Sequence, residues 1–161
     1  MAGSVNVITA KLIDMVHPKT VVNLAHNVGI ESEIPEVPSI ALGSVDLSLY
    51  EMVGAYSTFA NKGLRVEPMM LLKIEDKNGT VLEQFMPNSK EAISEESAFV
   101  IINLLEGVTE SGSGIRLRTS GANYADDIVT GYPYQFTNPI AGKTGTTKNQ
   151  SDSGFMGIVP N

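Results

Sequence analysis

The chain contains no cysteine, so a disulfide framework, a zinc knuckle and a thiol nucleophile are all excluded, although this absence does not fix a compartment. Histidine is nearly as scarce. His17 and His26 are too few for most metal sites, and each falls in or beside a helical pattern with no carboxylate at metal spacing, so neither a metal nor a cofactor is expected. No apolar run approaches the ~20 residues that a membrane span requires. Positive charge is in short supply too, with 11 Lys and Arg against 18 Asp and Glu, a net charge of -7 and a pI near 4.7. That balance opposes a polyphosphate surface, and nucleic acid is not an expected partner. Internal repeats and low-complexity tracts are also lacking. What is present is 161 residues with 42% hydrophobic and 18% charged side chains, the make-up of one ordinary globular domain.

Helical spacing of Ile8, Leu12, Met15 and Val16 predicts a helix after Asn6, and Pro18 opens a second one carrying Val21, Ala25 and Val28, closed by Gly29. Ile30 to Val45, with Pro35 and Pro38, reads as a loop. Ser48 and Glu51 form a capping box for a helix whose apolar face is Leu49, Met52, Val53, Tyr56 and Phe59, ended by Gly63. Met69 to Glu75 and Thr80 to Phe85 form a hairpin through Asp76-Lys77-Asn78-Gly79, since Asn-Gly is a strong hairpin signal. Ser94 starts a further helix whose apolar residues, Phe99 to Val108, cover more than one face, which predicts a central position. The stretch from Glu110 to Asn138 is irregular and rich in small polar residues.

Chemistry concentrates in Pro139-Ile140-Ala141-Gly142-Lys143-Thr144-Gly145-Thr146-Thr147. A phosphate loop needs a glycine five positions before the GK pair, where Thr137 stands, and a helix after it, whereas Gly145-Thr146-Thr147 favours extended backbone. As a strand, the segment places Lys143, Gly145 and Thr147 on one face and Thr144 and Thr146 on the other, although edge twist and bulges let neighbours converge on a bound ligand, and Gly145 removes bulk where a ligand backbone could approach. A surface turn with a solvated lysine is the alternative. Ser4-Val5-Asn6 could aim a hydroxyl and an amide into a cleft, or could simply cap the helix starting near Val7. Asp126-Asp127 reads as a wet loop and Tyr132-Pro133-Tyr134 as a rigid turn.

Taken in order, Ser4-Val5-Asn6, the helix Leu49 to Gly63, Gly107-Val108-Thr109, Gly112-Ser113-Gly114 with Arg116, and Gly142-Lys143-Thr144-Gly145-Thr146-Thr147 resemble the transpeptidase domain of bifunctional (class A) penicillin-binding proteins from Ser4 onward. That resemblance implies an α+β fold, with helices packed on a partial antiparallel sheet. It also implies a serine acyl-enzyme reaction on the D-Ala-D-Ala end of a peptidoglycan stem peptide, with β-lactams as competing ligands. Residue by residue it casts Ser4 as a proton relay and Asn6 as a hydrogen-bond partner of the substrate amide. Lys143 becomes a source of positive potential, while Thr144 and Thr146 grip the substrate carboxylate. The Thr146 backbone N–H is an oxyanion donor, and Gly145 leaves room for the substrate.

Two departures accompany the resemblance. No serine lies three residues before any lysine from Lys11 to Lys148, so the SxxK nucleophile motif, which in the family precedes the SxN motif, does not occur. Gly154 stands where relatives usually carry tryptophan. Met1-Ala2-Gly3 leads straight into a helical pattern and the chain stops just after a strand-like Phe155 to Val159, so residues 1–161 are expected to be an excised part of a transpeptidase domain, from SxN to just past KTG. The parent is expected to be an enzyme at the extracytoplasmic (periplasmic) face of the bacterial membrane, anchored by a segment outside these residues, and the chain alone to be inactive. Apolar surface left uncovered on the Ser94 to Val108 helix and near Ile140 is expected to favour self-association. The rivals are a serine β-lactamase relative, for which no deacylating acidic loop is visible, and a non-catalytic binding or structural module of the same fold.

Overall fold

The structure, a computed structural model, describes residues 2–118, 136–146 and 153–160. Among these the order is α1 (Asn6–Val16), α2 (Pro18–Asn27), a 3-10 turn (Pro38–Leu42), α3 (Leu49–Ala60), β1 (Leu64–Val66), β2 (Lys73–Glu75), β3 (Val81–Gln84), β4 (Ser89–Glu91), α4 (Glu95–Glu110), a second 3-10 turn (Ile115–Leu117), β5 (Ala141–Thr146) and β6 (Ser153–Ile158). The fold is α+β, with small antiparallel sheets: among the described residues the strands form three pairs, β1–β4, β2–β3 and β5–β6. Asp126-Asp127, Tyr132-Pro133-Tyr134, Thr147 and most of the irregular stretch before Asn138 lie outside the described residues.

Local chemistry sets the boundaries. Ser94 Oγ accepts the Ser97 N–H at 3.2 Å, and Glu95 and Glu96 put negative charge at the positive end of α4. The loop after Ile30 is less irregular than its sequence suggests, because Pro38 occupies the first position of a 3-10 turn and supplies the required φ. The hairpin turn also differs in kind from the Asn-Gly signal. Gly79 has φ +83° but Asn78 does not have positive φ, so a type I′ turn, which needs both, does not form. Instead Asp76 Oδ1 accepts the N–H groups of Asn78 (2.8 Å) and Thr80 (2.9 Å), and the pairing shifts register between Ile74 and Glu75.

Two buried zones organise the packing. Val28, Ile30 and Ala55 form one, walled by Ala25, Ile34, Met52, Phe59 and Ile93, where α2 and α3 meet the connection into α4. The other lies where α4 packs on β5, with Leu105, Val108, Ile140 and Ala141 buried. α4 packs against α3, β5 and the second 3-10 turn but is not enclosed on every side: among the described residues Phe99 (67% exposed), Val100 and Leu104 face outward. The apolar surface anticipated on this helix is therefore present. Near Ile140 the picture is mixed: Ile140 itself is buried (5% exposed), whereas Phe155 and Val159 on the paired strand and just after it are exposed.

Glu51 ties the first zone together. Ser48 Oγ accepts the Glu51 N–H at 3.2 Å while Glu51 Oε2 takes the Ser48 N–H at 3.1 Å, completing the capping box. The same carboxylate receives the N–H groups of Glu31 (3.0 Å) and Ser32 (2.7 Å) and the Ser32 hydroxyl (3.0 Å), stapling the loop after α2 to the start of α3. The Ser48 hydroxyl first, then Ser32, hold its pKa down to about 2. A carboxylate with a lowered folded-state pKa contributes stability that is fully present above its unfolded value, near 4.5, and lost as pH falls toward 2. Glu51→Gln is therefore expected to lower the urea midpoint at pH 7, with the gap to the parent chain closing between about pH 4.5 and 2. A gap that is constant over that range would contradict this role.

Candidate active site

Placement of β5 begins inside the core. Thr109, fully buried in the last turn of α4, donates its hydroxyl to the Ile140 carbonyl at 2.6 Å and accepts from Arg118 Nε at 3.3 Å. Main-chain satisfaction of this kind is what a buried carbonyl entering a strand requires. After α4 the chain reverses tightly, with the Gly114 N–H on the Val108 carbonyl (2.8 Å), and this brings Gly112 and Ser113 against β5. Gly112 lies so close to the Ala2 carbonyl that a Cβ would collide with it. The neighbouring Ser113 N–H donates to that carbonyl at 3.1 Å. The N-terminal segment is thus laid across the end of α4, and it delivers Ser4 to β5.

Ser4 adopts φ +49°, a left-handed conformation uncommon for residues other than glycine, asparagine and aspartate. Val5, not Ser4 or Asn6, is the N-cap of α1 and makes no side-chain cap bond, so the capping alternative for Ser4-Val5-Asn6 is not what the structure shows. Lys143 Nζ instead donates to Ser4 Oγ at 3.1 Å, joining residues 139 positions apart, and also to the Thr144 carbonyl at 2.8 Å. Among the described residues no carboxylate forms an ion pair with Lys143. A half-buried cation held by a hydroxyl and a carbonyl, in a chain of net charge -7, keeps its charge available to an anion.

The strand reading of the KTG segment holds, with Lys143 opposite Met156, Thr144 opposite Phe155, Gly145 opposite Gly154 and Thr146 opposite Ser153. Extended backbone through Thr146 leaves no helix start at Lys143, which removes the phosphate-loop alternative. Thr144 Oγ1 lies 2.7 Å from Ser113 Oγ. The Cβ positions of Gly145 and Gly154 both look into open space, as expected if Gly145 makes room for a ligand. Nearer the core, Phe155 covers Gly142 and Gly157, where a Cβ would strike its ring. Of the residues singled out in the sequence, Ser4 and Lys143 are in direct contact. Asn6 and Thr146 are exposed, and their side chains make no hydrogen bond among the described residues. Ser113 was given no side-chain role by the sequence, and its signal was its place in the Gly112-Ser113-Gly114 landmark of the family resemblance.

His26 Nδ1 is 2.7 Å from the Ile30 carbonyl, a structural contact away from β5. A separate cleft of about 410 Å³ between α3 and β1 is lined by Gly29, Tyr50, Arg65 and Pro68. Of the charges that line it, Arg65 pairs with Glu31 at 3.2 Å and Glu51 is saturated as described above. No helix among the described residues is long and apolar enough to cross a membrane.

The family profile described as "Penicillin binding protein transpeptidase domain" matches residues 1–160. Penicillin-binding protein 1A of Aquifex aeolicus is 32% identical over 160 residues, covering 99% of this chain and 20% of that protein. The crystal structure of penicillin-binding protein 1A from Haemophilus influenzae superposes with a TM-score of 0.81 at 21% identity, over 98% of this chain and 27% of that one. Penicillin-binding protein A of Mycobacterium tuberculosis, solved as an imipenem acyl-enzyme complex, gives a TM-score of 0.72 at 16% identity over 98% and 37%. The chain spans about a fifth of the length of the curated relatives it matches.

The buried link under β5 is open to test. Thr109→Val keeps the shape but strands the Ile140 carbonyl, and a cost of about 1–3 kcal/mol in urea unfolding is expected, with Thr109→Ser losing less. Equal stability of the valine variant would show that the hydroxyl is dispensable to strand placement.

Proposed function

The chain belongs to the penicillin-binding protein transpeptidase domain family, and from that premise we propose that it supplies the SxN and KTG portions of a peptidoglycan DD-transpeptidase site in a longer protein. In this reading a serine from an SxxK segment outside these 161 residues attacks the carbonyl of the D-Ala-D-Ala bond. The terminal D-alanine leaves with a proton, and the acyl group passes from the serine oxygen to an amine of a neighbouring stem peptide. Ser4 relays the proton to the leaving amine, and Asn6 hydrogen-bonds the substrate amide. Lys143 sets the positive potential that draws in the substrate carboxylate, which Thr144 and Thr146 hold. The Thr146 N–H is one oxyanion donor, and Gly145 admits the substrate beside the strand. β-Lactams, which present a carboxylate beside a reactive amide, occupy the same positions. The reaction takes place at the extracytoplasmic face of a bacterial membrane.

The observation that carries this reading is the 3.1 Å bond from Lys143 Nζ to Ser4 Oγ, which unites the two motifs although the sequence separates them almost completely. It gives the ammonium a fixed position beside a hydroxyl able to pass a proton, and no acidic partner among the described residues neutralises it. The rival reading, a binding module of the same fold without catalysis, draws on the absence of SxxK from the sequence.

Of two expected outcomes, the first tests the absence of a nucleophile from the chain and the second separates these readings. The 161-residue chain incubated with a fluorescent penicillin forms no stoichiometric adduct by intact-mass spectrometry, because it has no serine with a lysine three residues on; a full adduct would place a nucleophile within it. In the longer protein, Lys143→Ala slows β-lactam acylation by about 100-fold while unfolding stability changes by less than ~0.5 kcal/mol, as for a surface lysine. Unchanged acylation would return Lys143 to a solvated surface role, and a longer protein that the penicillin never labels would favour the binding module.

A further inference from the structure

Ser113 sits where three separate pieces of the site meet. Its N–H donates to the Ala2 carbonyl at 3.1 Å, two residues before Ser4, and its Oγ lies 2.7 Å from Thr144 Oγ1. Both hydroxyls are on the exposed side of the contact, so neither is needed to satisfy a buried group. A hydroxyl has one proton to give and two lone pairs. The pair can therefore be arranged in either direction, and the direction decides what Thr144 can offer a ligand. If Thr144 donates to Ser113, its proton is spent. If Ser113 donates to Thr144, the Thr144 proton is free to point outward from the strand, and the incoming hydrogen bond makes it a stronger donor. An anion approaching Lys143 selects the second arrangement, since it needs a donor and repels a lone pair.

We infer that Ser113 is a positioning residue for carboxylate recognition: it donates to Thr144 Oγ1, fixes the side-chain rotamer of Thr144 and turns its proton toward the ligand. This rests on the carboxylate-binding role proposed above for Thr144. Ser113 is suited to the task because its backbone is held independently of its side chain. The Ala2 carbonyl takes its N–H, and the adjoining Gly112 packs so closely on Ala2 that the turn cannot move away from the N-terminal segment without opening that contact. A substitution at Ser113 that keeps the backbone therefore removes the hydroxyl pair without loosening the tether that brings Ser4 to Lys143.

The test is acylation of the full-length protein by two matched β-lactams, one carrying the free carboxylate and one its methyl ester. Ser113→Ala and Ser113→Cys, the second retaining volume with a weak donor, are expected to lower the apparent affinity for the acid about tenfold. The limiting acylation rate and the ester kinetics stay unchanged, and Ser113→Thr keeps parental behaviour. Thr144→Val serves as the reference for loss of the carboxylate contact. If Thr144→Val loses the preference for the acid while both Ser113 variants retain it, the role given to Ser113 is wrong and the site reading stands. If the Ser113 variants weaken acid and ester alike, the residue is merely structural and the inference fails. If Thr144→Val itself leaves acid and ester unaffected, the carboxylate reading falls and the inference with it. Melting temperatures of all four variants, matched to the parent, exclude misfolding as the cause. Should Ser113→Ala not fold, the comparison of Ser113→Cys with Ser113→Thr decides the matter.

Discussion

The strand residues assigned to the site depend on where β5 starts, and β5 starts where the Thr109 hydroxyl meets the Ile140 carbonyl at 2.6 Å. Both groups are out of reach of water, so breaking this bond leaves an acceptor with nothing else to bind. The strand then runs outward from a dry end at Ile140 and Ala141 to an exposed end at Gly145 and Thr146. Because successive side chains alternate, fixing the first residue fixes the direction of all the rest, including Lys143 and Thr144. The same helix end that supplies Thr109 also supplies, four residues on, the serine that touches Thr144. One helix terminus thus sets both the height and the orientation of the strand.

Charge acts on top of this geometry. The chain as a whole is acidic, which repels anions at long range, yet the point where Ser4 and β5 meet carries a lysine with no acidic partner among the described residues. Screening reduces the long-range repulsion to little beyond roughly 8–10 Å at physiological salt, whereas a half-buried ammonium acts at contact distance. Attraction is therefore confined to the site, and an anion is recognised only once it has arrived. Ser4 holds that ammonium at the expense of a left-handed backbone, a local conflict of the kind that concentrates where function requires it.

Much of the frame could be read from the sequence because it is written in local chemistry. Ser48 with Glu51, Pro18, Gly29 and Ser94 each act within one turn of where they stand, and the helices begin and end accordingly. The KTG strand was legible from its glycine and threonines. What was not legible involves long separations or choices between similar turns. Asn78-Gly79 gives a turn but not the turn type, because Asp76 captures the backbone first. The outward apolar side of α4 shows no feature in sequence that distinguishes it from its buried side. Ser4 could not be told from a helix cap until Lys143 was seen to reach it, and Ser113 stood out only as part of the Gly112-Ser113-Gly114 landmark, with nothing to show that its side chain meets Thr144.

The facing pair Gly145 and Gly154 gives the β5–β6 ribbon an uneven mechanical character. Toward the core, Phe155 braces Gly142 and Gly157, and α4 backs the strand. At Gly145 and Gly154 the two strands share main-chain pairing but no side-chain contact with each other, so the element of stiffness that cross-strand side chains usually add is missing there. Glycine at both positions of this pair strips the ribbon of side-chain bulk one residue beyond Thr144, so main-chain pairing alone joins the strands at that step. The bare backbone there offers an approaching chain a flat edge next to the side chains that would hold it.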